Sequence, residues 1–187
     1  MAPIEYPIPL MGFAAFSGTG KTTLLARLLP ALRAHGLRIA VVKHAHHRFD
    51  IDHPGKDSHT LRKAGAERIL VASRHRMALI VEQPERRDDV YLADALAMMD
   101  PRGLDLVLVE GFKHEAFPKI ELHRPALGKP LLYPYDPTIV AIATDEEAPP
   151  AGHGIPHLPL NEPGDIAVFI IAHLGLTPRA PSTNPRA

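Results

Sequence analysis

The stretch Ser17-Gly18-Thr19-Gly20-Lys21-Thr22-Thr23 constrains this chain more than any other feature. It follows an apolar run over 8–16 and precedes leucines at 24, 25, 28, 29 and 32, the spacing of one apolar helix face. A buried strand therefore runs into a glycine-rich turn, and the turn opens a helix over 21–35 that stops at Gly36. Gly18 and Gly20 allow positive φ and a close approach of the backbone to a ligand. The amides of such a turn, together with the unpaired N–H groups and positive dipole end of the helix, form a nest for an anion. Lys21 adds a point charge for β and γ phosphates, and Thr22 a hydroxyl for Mg²⁺. Ala15 stands where the usual GxxxxGK(S/T) pattern has its first glycine. That departure is harmless if the position keeps φ negative and strains the loop if it does not.

The remaining segments alternate between strand and helix patterns. Residues 37–42 and 104–109 are nearly all apolar, which suits parallel strands covered on both faces. Residues 44–56 are polar and read as a loop, after which Asp57 or Ser58 caps a short helix ending at Gly65. Residues 68–73 and 77–81 read as a hairpin around Arg74-His75-Arg76, and 88–99 as an amphipathic helix. Residues 119–123 alternate and read as an edge strand, 124–137 carry four prolines and read as a surface loop, 138–143 as the last strand, and 162–175 as a closing helix. The expected fold class is α/β: a P-loop NTPase three-layer fold, with a mostly parallel sheet and helices on both faces. One nucleotide-binding domain over 1–176 is expected, followed by a disordered proline-rich tail over 177–187.

Composition narrows the function. At 187 residues the chain suits one domain and should bury roughly 70% of its unfolded surface. It has no cysteine, so disulfides, thiol catalysis and thiolate zinc sites are excluded. The formal net charge is zero, without the basic excess of a nucleic-acid binder. The first nine residues lack a basic n-region, and no apolar run is long enough to span a bilayer. The expectation is a soluble, cytoplasmic protein with no nucleic-acid or membrane partner.

Several side chains are candidates for the site. Glu110 closes a buried strand, where ligands bind in open α/β sheets, and is placed to hold Mg²⁺ or its water shell. Asp50 and Asp52 follow the second strand and are either further metal acids or solvated loop acids. Lys43 and His44 end that strand and are candidate nucleotide contacts. The run His44, His46, His47, His53 and His59 suits a metal ion, but a loop of mixed His and Asp can equally serve phosphates, substrate or nothing. Lys113 and His114 belong to the same edge of the sheet.

The set Ala-Phe-Ser-Gly-Thr-Gly-Lys-Thr-Thr (15–23), Val-Lys-His-Ala-His-His (42–47), Asp-His-Pro-Gly-Lys-Asp-Ser (52–58), Leu-Arg-Lys-Ala-Gly-Ala (61–66) and Leu-Val-Glu-Gly-Phe-Lys-His (108–114) resembles the molybdopterin-guanine dinucleotide biosynthesis protein B family, known as MobB. The similarity spans roughly 8–175. It implies a homodimeric GTP-binding adapter with weak GTPase activity. Such a protein assists the guanylyltransferase that joins GMP to molybdenum-bound molybdopterin. It also implies that Ala15 is tolerated. The Asn/Thr-Lys-x-Asp base-reading motif of small GTPases is missing, but Ala143-Thr144-Asp145 ends a strand where a base can sit. Asp145 there can accept from guanine N1 and N2 and reject adenine. No Gln or Arg finger is identifiable, and lacking one costs about 10³–10⁵ in rate, so hydrolysis should be slow. Two other functions use the same features. A small-molecule kinase would draw on Arg74, Arg76, Arg86 and Arg87 as a lid, and a nucleotide-dependent metal chaperone would draw on the histidine run.

Overall fold

The computed structural model describes residues 4–45, 50–83, 90–146 and 154–180. These fall into two compact units, 1–44 with 91–187 and 45–90, a division that the reading of a single domain did not make.

The larger unit is built on six parallel strands: β1 (Leu10–Ala14), β2 (Ile39–Lys43), β5 (Leu106–Glu110), β6 (Lys119–His123), β7 (Ile139–Thr144) and β8 (His157–Pro159). Their order across the sheet is β2-β5-β1-β6-β7-β8, and every pairing is parallel. Strand side chains alternate between faces. Met11, Phe13, Leu106, Leu108, Ile120, Leu122, Ala141 and Ala143 therefore form one apolar surface. It is covered by Leu24, Leu25, Leu28 and Leu32 of α1 (Lys21–Ala34) and by Ile166, Ala167 and Ile170 of α4 (Pro163–His173). The intervening Leu10, Val107, Val109 and Ile142 are buried as well. In α3 (Leu92–Ala97), Leu92 and Leu96 are buried outside the α1–α4 cluster. Burial on both faces explains why β1 and β5 read as unbroken apolar runs; β2, expected to be covered on both faces as well, lies at the sheet edge and leaves Val41 exposed.

The smaller unit holds α2 (Asp57–Lys63) and the antiparallel hairpin β3 (Arg68–Ala72) with β4 (Met77–Val81). Arg62 is its hub, pairing with Asp50 at 3.0 Å, Asp52 at 3.4 Å and Glu82 at 2.9 Å.

Three expectations are corrected. Residues 119–123 form a strand with the expected bounds, but it lies between β1 and β7 rather than at an edge. Its alternation misleads because Lys119 and Glu121 are buried polar residues with partners. The Lys119 ammonium donates to Glu115 O and Thr138 Oγ1, both at 2.7 Å, and the Glu121 carboxylate accepts from the amides of Leu132 and Tyr133, both at 2.8 Å. The strand over 138–143 is not the last, since β8 follows it at the edge. A three-residue strand preceded by Pro156 and ended by Pro159 gives too short a pattern to read. Neither Asp57 nor Ser58 caps α2. The N-cap is Lys56, because the turn at 53–56 brings the chain into helix one residue earlier. Ser58 instead donates to Asp52 at 2.8 Å. Of the tail, 181–187 lie outside the described residues, and Arg179 bonds His35 O through its amide at 3.0 Å and Asp105 through its guanidinium at 2.9 Å.

Candidate functional site

β1 delivers the chain to the C-terminal edge of the sheet and α1 carries it away, so residues 15–20 form a loop at that edge. Gly18 and Gly20 have φ of 84° and 97°, which favours glycine. Ala15 is not among the described residues with positive φ, so the missing first glycine brings no strain. The Thr19 hydroxyl donates to Phe16 O at 2.8 Å and closes the turn from within. α1 has no side-chain cap at Gly20 and no acid in its first turn. Its first amides thus face the loop with no protein anion to satisfy them, which is the arrangement of a helix-terminal anion site. The Lys21 ammonium folds over the turn, donating to Ala15 O at 2.9 Å and Phe16 O at 3.4 Å. Burial pushes its pKa down, with nearby Glu110 opposing and Lys43 adding to the shift. Ser17, Gly18, Thr22 and Thr23 are exposed at the same edge.

Glu110 lies opposite Phe13 on one side and Lys43 on the other, which puts it beside the loop. Its carboxylate pairs with the Lys43 ammonium at 2.8 Å. The ends of β2 and β5 are locked together beyond that pair. The His44 amide bonds Glu110 O at 2.8 Å, and its ring meets Phe112 at 4.9 Å between centroids. Phe112 has φ of 52°, and a side chain on Gly111 would meet His44 Cβ at 2.6 Å. Lys43, His44, Glu110, Lys21 and Thr22 are thus brought to one edge. Asp50 and Asp52 belong to the smaller unit, where Arg62 holds both carboxylates. Among the described residues no group of three or more His, Asp or Glu could hold a metal ion, while His46, His47, Arg86 and Arg87 lie outside them.

On the other side of the loop, Asp145 follows β7. It lines a cleft of about 380 Å³ with Thr144, His157, Leu158 and Asn161. Sequence reasoning missed Arg124 and Asn161. Arg124 leaves the end of β6, and its Nε donates to Thr19 O at 3.0 Å while Nη1 pairs with Asp145. An arginine ending the strand beside the one that feeds a phosphate loop was the available signal. The misreading of that strand as an edge hid it.

The parallel sheet, the glycine turn and the uncapped helix behind it define a P-loop α/β protein of the nucleoside-triphosphatase type. The model of the family described as molybdopterin guanine dinucleotide synthesis protein B matches residues 10–145. The chain is 46% identical over 165 residues to the molybdopterin-guanine dinucleotide biosynthesis adapter protein of Escherichia coli (strain K12), covering 88% of this chain and 92% of that one. It is 44% identical over 138 residues to the protein of that name from Haemophilus influenzae, covering 74% and 75%. A crystal structure of molybdopterin-guanine biosynthesis protein B superposes with a TM-score of 0.66 at 28% identity, covering 88% of this chain and 99% of that one. The chain belongs to the MobB family.

Proposed function

We propose that this protein binds Mg·GTP on the loop at 17–23 and acts as an adapter in molybdopterin guanine dinucleotide biosynthesis. The observation that carries the binding is the uncapped N-terminus of α1 facing a glycine turn under the Lys21 ammonium. The adapter role rests on family membership and on the names of the relatives. The amides of Gly18 to Thr22 receive the β phosphate, and Lys21 leaves its two carbonyls for the β and γ oxygens. The exposed Thr22 hydroxyl and the Glu110 carboxylate suit Mg²⁺, a hard ion that takes oxygen ligands. Bound there, the ion offsets phosphate charge. Lys43, paired with Glu110, would be free to turn to the phosphates if that carboxylate held the metal. Asp50, expected as a further metal acid, is held by Arg62 within the smaller unit. Asp145 and the cleft beside it take the base.

The partner is the guanylyltransferase of the pathway, and the site of action is the cytoplasm. Among the described residues no helix is long and apolar enough to cross a membrane. The working unit is a homodimer. In the hairpin, Leu70 pairs with Leu79 and Ala72 with Met77 on one face, and Leu70, Met77 and Leu79 are 62%, 73% and 47% exposed. A two-stranded ribbon with so much exposed apolar surface needs a covering partner. Leu70→Asp with Leu79→Asp should convert a dimer to a monomer in sedimentation; a wild-type monomer at micromolar concentration refutes the dimer.

Titration of the full chain with Mg·GTP and Mg·ATP tests the binding. The expected result is saturable GTP binding with weaker ATP binding. Absence of binding at millimolar nucleotide overturns the reading, and turnover of tens per second by the protein alone overturns the adapter role.

A further inference from the structure

Arg124 joins three segments that are far apart in sequence. Its Nε donates to Thr19 O in the phosphate loop at 3.0 Å, Nη1 to Asp145 Oδ2 after β7, and Nη2 to Asn161 Oδ1 after β8 at 3.4 Å. A side chain built on Gly20 would sit 4.0 Å from Nη2, so the guanidinium lies against the start of α1. Asp145 and Asn161 both line the cleft at the ends of β7 and β8. The arginine and aspartate side chains are 31% and 30% exposed, so the bridge is partly shielded and partly open to a ligand.

The planar guanidinium fixes its donors in one fork. By occupying Asp145 Oδ2 it leaves Oδ1 as an acceptor, and its longer contact of 3.4 Å to Asn161 Oδ1 turns the amide nitrogen outward as a donor. Guanine presents N–H groups at N1 and N2 beside an acceptor at O6. Adenine presents the reverse at the corresponding positions, an acceptor at N1 and a donor at N6. A site that fixes one acceptor beside one donor favours guanine, and the mismatched base leaves polar groups unpaired. The same guanidinium grips the carbonyl of the loop residue whose neighbours receive phosphate.

We propose that Arg124 is a positioning residue that sets the guanine-reading polarity of Asp145 and Asn161. The proposal rests on the nucleotide reading above. The test measures dissociation constants of the full chain for GTP, ATP and tripolyphosphate, each with Mg²⁺. The variants are wild type, R124Q, R124K, D145N and R124Q/D145N. R124Q should weaken GTP by about tenfold or more, because Asp145 and Asn161 lose the donor that orients them toward the base. ATP and tripolyphosphate should weaken by no more than about threefold, since their loop contacts remain. R124K should not restore the preference, because one ammonium cannot serve the fork. The double variant should be no worse than either single variant within about twofold, the sign of two residues acting as one unit. An unchanged GTP-to-ATP ratio in R124Q overturns the proposal, as does equal weakening of all three ligands. If R124Q does not fold, R124K carries the comparison with the same two outcomes. A wild type that binds no nucleotide, or binds both equally, defeats the nucleotide reading instead.

Discussion

Replacing Lys21 with methionine separates what the ammonium does for the fold from what it does for a ligand. In the free protein it donates to Ala15 O at 2.9 Å and to Phe16 O at 3.4 Å. Only the first has good geometry, and a typical bond of this kind contributes about 1 kcal/mol net. Methionine keeps most of the packing of the chain and relieves the partial burial of a charge, which already holds the lysine pKa below its ordinary value. The stability loss should therefore be about 1 kcal/mol or less, lowering Tm by roughly 2–4 °C at this size. With a polyphosphate bound, the same group makes a charge-assisted contact worth about 1.5–3 kcal/mol. Losing it should raise Kd for Mg·GTP roughly 10- to 150-fold. Calorimetric titration beside thermal melting reads both numbers on one preparation. A Kd within about threefold of wild type refutes the placement of phosphates under Lys21. A fall in Tm of about 10 °C or more would mean that the loop, rather than the ligand, depends on the lysine.

Glu110→Gln should remove most of the strengthening of GTP binding by Mg²⁺ while leaving metal-free binding nearly intact, read by titration with Mg²⁺ and with EDTA. Gly111→Ala combines φ of 93° with a Cβ 2.6 Å from His44 Cβ. Left-handed strain of about 1–2 kcal/mol and overpacking of about 1–3 kcal/mol should together produce a clear loss in urea unfolding. Burial raises the pKa of Glu121 above 4.5, with Asp136 adding to the shift and the Leu132 and Tyr133 amides and His123 opposing it. A raised folded pKa means that the folded protein holds the proton more tightly than the unfolded chain, so this contribution is fully present below the unfolded value and is lost as pH rises through the folded one. The stability of wild type minus that of Glu121→Gln should therefore be largest in acid and narrow toward neutrality; a gap that widens with pH contradicts it.

The legible parts were those where local chemistry and burial agree. β1 and β5 are apolar because both faces of the sheet are covered there, and Leu24, Leu25, Leu28 and Leu32 mark the buried face of α1 by spacing alone. The loop was legible because only glycines suit the angles at 18 and 20. β6 was misplaced because pattern cannot distinguish a lysine in water from one buried on Glu115 O and Thr138 Oγ1. β8 was invisible because its three residues have no period. The bridge from Arg124 to Thr19, Asp145 and Asn161 spans up to 105 positions and exists only once β6, β7 and β8 lie side by side. The pairing of Asp50 and Asp52 with Arg62 was hidden for the same reason: separation in sequence conceals which acid already has a cation.

The central claim is that a guanine nucleotide lies with its phosphates in the turn before α1. A crystal structure of the full chain with Mg²⁺ and a non-hydrolysable GTP analogue tests it most directly. The predicted density has the β phosphate within hydrogen-bonding distance of the amides of Gly18 to Thr22, Mg²⁺ on the Thr22 hydroxyl, and the base beside Asp145. Phosphates bound away from that turn, or no analogue bound at millimolar concentration, would contradict it.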